Sequence, residues 1–437
     1  MEKQNFTPTL GLFSTTSIIV GTVIGASIFV LPGQIAAENG PGVWVAFVVA
    51  AILAAFTAVV AAFISGLLPV SGASALFVRK SFGELVSLVY ALCYVAALSI
   101  GMAAILYVMG FYIQALIPSL SLTVIMLASL VFCCAVNIFG NRTLASLQNI
   151  TVAGLVAILI IFTVGAFTDF DPANYSVMFP KGLFPVLAAS VPLYYAYAGF
   201  ACIMDIGGEI KDVRKTLPKA MFISVVIVFV LYTGMSLAMT GAVNYTELGV
   251  DAPAFLVAQR AISEGFSIVL TVGCILGSYT SLVAMIQMAS RLIYISADAK
   301  YLPAVFLKQN KRQVPYVSVI LITILVFVAL MTAQTIMAYA GIIVIISMSF
   351  LLLYGIGMLK SKKTFPLESE SSKFNLSGFW FYFWPIGLIL ISIAFVGMTI
   401  FSDLKVFGIG VGIVVLIALL CLPLVKNAQK KRQNVES

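Results

Sequence analysis

The sequence predicts an all-α membrane protein with twelve transmembrane helices, and three observations carry that prediction. Of its 437 residues, 62% are hydrophobic and 9% charged, and the mean hydropathy is +1.13, a composition that cannot make an ordinary soluble surface. Twelve stretches reach the roughly 20 mostly apolar residues that a helix needs to cross a bilayer. Lysine and arginine gather in alternate loops between those stretches, the pattern that fixes topology.

The first stretch, residues 13–36, contains "TSIIVGTVIGASIFVLPG" and places Gly21, Gly25, Ala26 and Ser27 at mid-depth. Apolar runs at 43–66, 84–115, 121–140 and 143–168 follow. The sixth stretch, 183–206, holds Pro192 early and Ala198 and Gly199 at mid-span, with Gly207 and Gly208 just beyond its end. Stretches at 219–242, 264–296, 315–332 and 335–359 come next, and 379–401 and 405–425 are the last two. The amino-terminal tail lacks the basic region of a cleaved signal, so the first helix is expected to be retained.

Orientation follows from the loops. Arg79 and Lys80, Arg142, Lys211 to Lys219, Lys300 to Arg312, Lys360 to Lys373 and the tail from Lys426 fall on one side. The other side holds Lys181, Arg260 and Lys405. The positive-inside rule puts both termini in the cytoplasm and the chain in the cell membrane. The net charge of +8 is thus a topology signal, and its scatter over short loops gives no case for nucleic acid.

Several chemistries are excluded. There is no histidine, which removes the usual proton shuttle and every nucleophile pair built on it. The six cysteines, Cys93, Cys133, Cys134, Cys202, Cys274 and Cys421, lie inside apolar stretches without zinc-ligand spacing. No Walker lysine follows the glycines of "GTVIGAS". Movement of a solute across the membrane, and not catalysis, is the expected function.

Gly21 and Gly25 fit two roles, close helix packing and local unwinding around a ligand. A transporter built from inverted repeats shows a second interrupted helix at the matching place in its other half, and the sixth stretch supplies one, entering from the opposite side. The expected organisation is a tail over 1–12, a five-helix unit over 13–168, an inverted five-helix unit over 181–359, two added helices over 379–425 and a tail over 426–437.

"GTVIGASIF", "SGASALFVRKSFG", "YAYAGF" followed by "GGEIKDVRKTLPKA", and "SRLIYISADAKYLP" together resemble the amino acid, polyamine and organocation transporter superfamily, in order and over essentially the whole chain. The resemblance implies the leucine-transporter (LeuT) type fold, with the substrate held at mid-membrane between broken first and sixth helices. Breaking a helix frees backbone groups that hydrocarbon does not satisfy. The amides of Ala26 and Ser27 suit a carboxylate, and the resemblance assigns the carbonyls of Val23, Tyr195 and Ala198 to an ammonium. Glycine at 21, 25 and 199 relieves the steric cost of such a backbone.

The family's side-chain wall draws on spans one, three, six and eight, which offer here Ala97, Gly101, Met102, Tyr195 and Phe200. That wall is apolar, and Ala201 stands where many relatives carry an acid, so a neutral amino acid is expected. Asp205, about 7.5 Å below Phe200 at a helical rise of 1.5 Å per residue, is expected to serve gating or coupling. In span eight Gly277, Thr280 and Ser281 share a helix face at i, i+3 and i+4, and hard oxygen ligands suit a small hard cation. The resemblance adds the carbonyls of Gly21 and Ile24 and so implies a sodium site. Leu155 stands where several proton-coupled or exchanging relatives place a lysine, and by the same resemblance its absence leaves room for sodium, although some exchangers of the superfamily lack that lysine too.

The reading that results is sodium-coupled import of a small neutral amino acid, with ion-independent exchange of amino acids or amines as the alternative. The bilayer and the substrate are the expected partners, and no obligatory protein partner is expected.

Overall fold

The computed structural model describes residues 10–70, 72–139, 142–206, 210–332, 335–370, 372, 374 and 376–436. The first half of the chain winds into α1 (Leu12–Val23), α2 (Leu31–Asn39), α3 (Val43–Leu67), α4 (Ala73–Phe82), α5 (Glu84–Leu116), α6 (Leu122–Phe139) and α7 (Arg142–Thr168). The second half gives α8 (Leu183–Tyr194), α9 (Ile203–Ile206), α10 (Val213–Ala242), α11 (Pro253–Val257), α12 (Glu264–Asp298), α13 (Tyr316–Met331), α14 (Ile336–Thr364), α15 (Pro366–Glu370), α16 (Phe379–Ser402) and α17 (Leu404–Glu436). Among the described residues no strand forms, and an isolated parallel bridge joins Leu10 to Ile210.

Ten helical stretches among the described residues are long and apolar enough to cross a membrane, which makes this a multi-pass membrane protein. Two apolar helices are shorter. α13 has 16 residues, about 24 Å at 1.5 Å per residue, because Pro315 and Thr332 bound it. α1 has 12 residues because its stretch breaks in the middle. The last helix instead outruns the stretch read from hydropathy, since α17 continues through the basic residues after Lys426.

Burial separates a central group from a peripheral one. About two thirds or more of the apolar windows of α3, α5 and α14 are buried, against 17% for α17. α5 packs on α12, α13 and α14, while α3 packs on α8 and α10, and α1 on α7 and α10. Large apolar side chains such as Ile150, Phe222, Leu419 and Phe401 point outward. A surface of that kind suits lipid, where helices satisfy their own backbone groups.

The end of the bundle away from the basic loops is closed by backbone-to-loop contacts. The Gly42 N–H donates to Met178 O at 3.0 Å. Gly40 adopts φ +99°, a conformation that side-chain-bearing residues avoid, and Pro180 lies where its Cβ would be. Pro253 at the start of α11 occupies the corresponding space against Gly33.

Candidate functional site at the two helix breaks

The first break is a tight turn at Ile24 followed by one extended residue, Gly25. The Ile24 N–H makes the last helical bond, to Val20 O at 2.7 Å. Ile24 (φ −76°, ψ 87°) then turns the chain, and Gly25 (φ −101°, ψ −169°) extends it. The Gly25 N–H donates to Val23 O at 2.9 Å, which leaves the Gly21 carbonyl without the amide that the helical register would supply. Ala26–Phe29 close a single 3₁₀ turn, and α2 follows with Pro32 in its first turn.

The second interruption differs from the unwound segment that the sequence suggested. Residues Tyr195–Cys202 form an eight-residue 3₁₀ helix between α8 and α9, well beyond the three or four residues usual for that conformation. Pro192 sits inside α8, where its missing N–H and its ring disturb α-helical pairing. Three residues per turn put Tyr195, Ala198 and Ala201 on one face, and all three line the cavity described below. Phe200 falls on another face and is 1% exposed in the core. The aromatic wall expected from Phe200 is thus replaced by Ala201.

The two breaks touch through backbone. A Cβ on Gly199 would stand 2.5 Å from Thr22 O and 2.8 Å from Val23 Cα. Only glycine permits that approach. Tyr195 reaches the other way, its hydroxyl donating to Gly101 O at 3.1 Å.

Both breaks face a cavity of about 1040 Å³. Val23, Gly25, Ala26 and Ser27 line it from the first break, with Gly21 one turn earlier in the chain, and Tyr195, Ala198 and Gly199 from the second. α5 contributes Tyr94, Ala97, Leu98 and Ile105, and α14 contributes Ile343, Ser347, Phe350 and Tyr354. α12 presents Thr280, Ser281, Ala284, Met285, Met288 and Arg291. The cavity continues to Gln309 and Gln313, so it runs from the breaks towards the end that carries the basic loops. Towards the opposite end, Tyr112 ties α5 to the first break by donating to Phe29 O at 2.8 Å. Among the described residues lining the cavity, Arg291 is the one that carries a charge.

Besides Phe200, four expected residues lie off this wall, among them Ile24, which is buried in the core at 1% exposure. Gly101 is covered by Tyr195 and Met285, whose Cε would be 3.1 Å from a Cβ there. Met102 is fully buried elsewhere in the core. Gly277 faces Leu155, whose Cδ2 would be 3.1 Å from its Cβ. The α12 wall was readable from spacing, because 281, 284, 285, 288 and 291 follow one helical face. The α14 wall has the same spacing, since 343, 347, 350 and 354 follow one helical face, but that stretch lacks the mid-span break that marks the first and sixth.

The residues expected around an ion are arranged unevenly. Ser281 is 9% exposed, and its Oγ has no hydrogen-bond partner among the described residues. It lies 3.9 Å from where a Gly25 Cβ would be, so it faces the first break. The Thr280 hydroxyl bonds back to Gly277 O at 2.9 Å. Asp205 lies on α9, its side chain outside the described residues, as are Gly207, Gly208 and Glu209 altogether.

A family model described as amino acid permease matches residues 10–420. The branched-chain amino acid permease BcaP of Bacillus subtilis is 27% identical over 331 residues, covering 71% of each chain. The methylthioribose transporter of the same organism is 25% identical over 326 residues, 70% of this chain and 71% of its own. The chloroplastic cationic amino acid transporter 9 of Arabidopsis thaliana is 28% identical over 324 residues, 68% of this chain and 56% of its own.

Proposed function

The chain belongs to the amino acid permease family, and from that premise we propose that it is a secondary active transporter importing neutral amino acids by alternating access. The observation that carries this reading is the cavity itself, which meets both helix breaks at one end and opens towards the basic loops at the other. In this proposal the chain crosses the cell membrane twelve times with both termini cytoplasmic. Spans one to five and six to ten form inverted repeats, and the cavity's open end faces the cytoplasm.

The substrate's carboxylate is assigned to the amides of Ala26 and Ser27, and its ammonium to the carbonyls of Val23, Tyr195 and Ala198. The apolar side chains of Leu98, Ile105, Met285 and Ile343 around the breaks favour an uncharged substrate side chain, because burying an unpaired charge among them is costly. A branched-chain permease among the relatives agrees with that wall. Asp205 is assigned a gating role.

Sodium is proposed as the co-transported ion, held by Ser281 and Thr280 with the carbonyls of Gly21 and Ile24. Its support is the orphaned Ser281 hydroxyl beside a break that frees the Gly21 carbonyl. Ion-independent exchange is the second reading, favoured by the back-bonded Thr280 and by Leu155 packed on Gly277. Uptake into proteoliposomes, with a panel of neutral, acidic and basic amino acids and polyamines and with sodium or choline gradients, tests both. Accumulation of neutral amino acids driven by sodium is expected. Preference for cationic substrates would overturn the neutral assignment, and equal uptake in sodium and choline would leave the exchanger.

A further inference from the structure

The cavity carries a second polar cluster at its open end, away from the helix breaks. Gln287 and Arg291, one helical turn apart on α12, line it together with Gln309 and Gln313 from the loop before α13. Ser281, which faces the first break, precedes Arg291 by ten residues, a separation of about 15 Å along a helix. The two charged ends of an amino acid are only a few ångströms apart, so one molecule cannot reach both places. The loop that supplies two of the glutamines is tightly held. The Asn310 side-chain oxygen accepts the N–H groups of Arg312 at 2.9 Å and Val314 at 3.1 Å, and its amide donates to Ile138 O of α6 at 2.6 Å. Gln313 adopts φ +59°, a conformation that glycine holds freely and glutamine only under strain. Arg291 is exposed, and among the described residues no carboxylate lies within ion-pair distance of it.

We propose that Arg291, with Gln287, Gln309 and Gln313, forms a second substrate subsite, where the guanidinium holds an amino acid's carboxylate between the helix breaks and the cytoplasm. This rests on the amino acid reading above and on its orientation. A guanidinium presents its donors as a planar fork that matches a carboxylate. The glutamine side chains have oxygens to accept from the ammonium and amides to donate to the carboxylate's remaining lone pairs. The fixed positive charge also repels cations, so amines that lack a carboxylate, polyamines above all, are disfavoured at this end. Selection then occurs twice, by charge at Arg291 and by the apolar wall at the breaks.

The test reads inhibition of amino acid transport in oriented proteoliposomes by two probes applied to either face, propionate replacing chloride and putrescine. In wild type, propionate is expected to inhibit from the cytoplasmic face and putrescine to do so poorly. Arg291→Gln is expected to weaken cytoplasmic inhibition by propionate about three- to tenfold, between the worth of an exposed ion pair and that of a charged hydrogen bond. Inhibition by putrescine from that face is expected to strengthen, and inhibition from the outer face to stay as in wild type. Gln313→Gly removes an amide while relieving the backbone. It is expected to keep or raise the melting temperature and to weaken propionate about two- to threefold, the range of one modest hydrogen bond. This variant carries the test if Arg291→Gln does not purify as a folded protein. Wild-type transport indifferent to cytoplasmic propionate, or a change in Arg291→Gln that is equal for anion and cation or equal on both faces, would overturn the subsite alone. A wild-type protein that moves no amino acid would overturn the transport reading and this inference together.

Discussion

Gly199 and Thr22 are in backbone contact across the two helix breaks, so that a Cβ at 199 would stand 2.5 Å from the Thr22 carbonyl oxygen. Neighbouring backbone cannot rotate aside as a flexible side chain can. Any larger residue at 199 therefore pushes the two segments that shape the cavity apart.

Gly199→Ala is accordingly expected to reduce uptake by at least tenfold while the protein still inserts. Overpacking of this kind costs about 1–3 kcal/mol. Gly154→Ala is the matched control, because none of the described residues lies within 4 Å of a Cβ there. Proteoliposome uptake at equal protein, with size-exclusion profiles of both variants, checks the contrast. Wild-type uptake by Gly199→Ala would show that the breaks can separate without consequence.

Gly25→Val should behave differently. Its backbone is extended, which suits a β-branched residue, and a Cβ there meets only the Ser281 hydroxyl, at 3.9 Å. The fold should survive, with a melting temperature close to wild type. The added methyl groups project towards Ser281, where backbone and ligand are proposed to meet, so amino acid binding should be lost. Titration of purified protein by calorimetry distinguishes this outcome, and retained affinity would return Gly25 to a packing role.

Both glycines and Pro192 were legible in the sequence because helix breaking has few residue solutions, and so was the alternation of basic loops. What the sequence withheld was the pitch of the second interruption. Three residues per turn, in place of an open break, turn Phe200 into the core and Ala201 onto the wall, and composition does not distinguish those conformations. The hydroxyl of Tyr232 on α10, which donates to Val23 O at 2.9 Å, was equally hidden, since its partner lies 209 residues away and a tyrosine in an apolar span carries no local mark. The cavity face of α14, with Ser347 and Tyr354 among its residues, has no mid-span break to mark it.

At the basic end, Lys80 of α4 bonds Glu368 of α15 at 2.7 Å and lies 5.3 Å from the ring centre of Phe365. The Lys80 hydrogen bond, foremost, holds the Glu368 carboxyl below its ordinary range. A depressed carboxylate pKa contributes stability above the unfolded value, about 4.3, and loses it as pH falls through the lower folded value. Both groups are partly exposed, so the contribution is at most about 1 kcal/mol. Glu368→Gln should lower the melting temperature slightly at pH 7, and the gap should close as pH drops below about 4. A gap independent of pH would assign the effect to packing on Phe365 instead.

The sodium proposal carries the most specific prediction. One sodium crossing about 100 mV contributes roughly 2.3 kcal/mol, which corresponds to an accumulation near fifty-fold at about 1.4 kcal/mol per tenfold. Linkage requires that sodium and substrate raise each other's affinity by the same factor. Ser281 has no hydrogen-bond partner among the described residues, whereas Thr280 keeps Gly277 O. Ser281→Ala should therefore cost more of the sodium dependence than Thr280→Ala, and the double variant should abolish it. The readout is amino acid affinity at zero and saturating sodium, at fixed pH and ionic strength. Substrate affinity in the wild type that is equal in sodium and choline would give the site to exchange. The back-bonded Thr280 and the Leu155 contact at Gly277 would then be its structural basis.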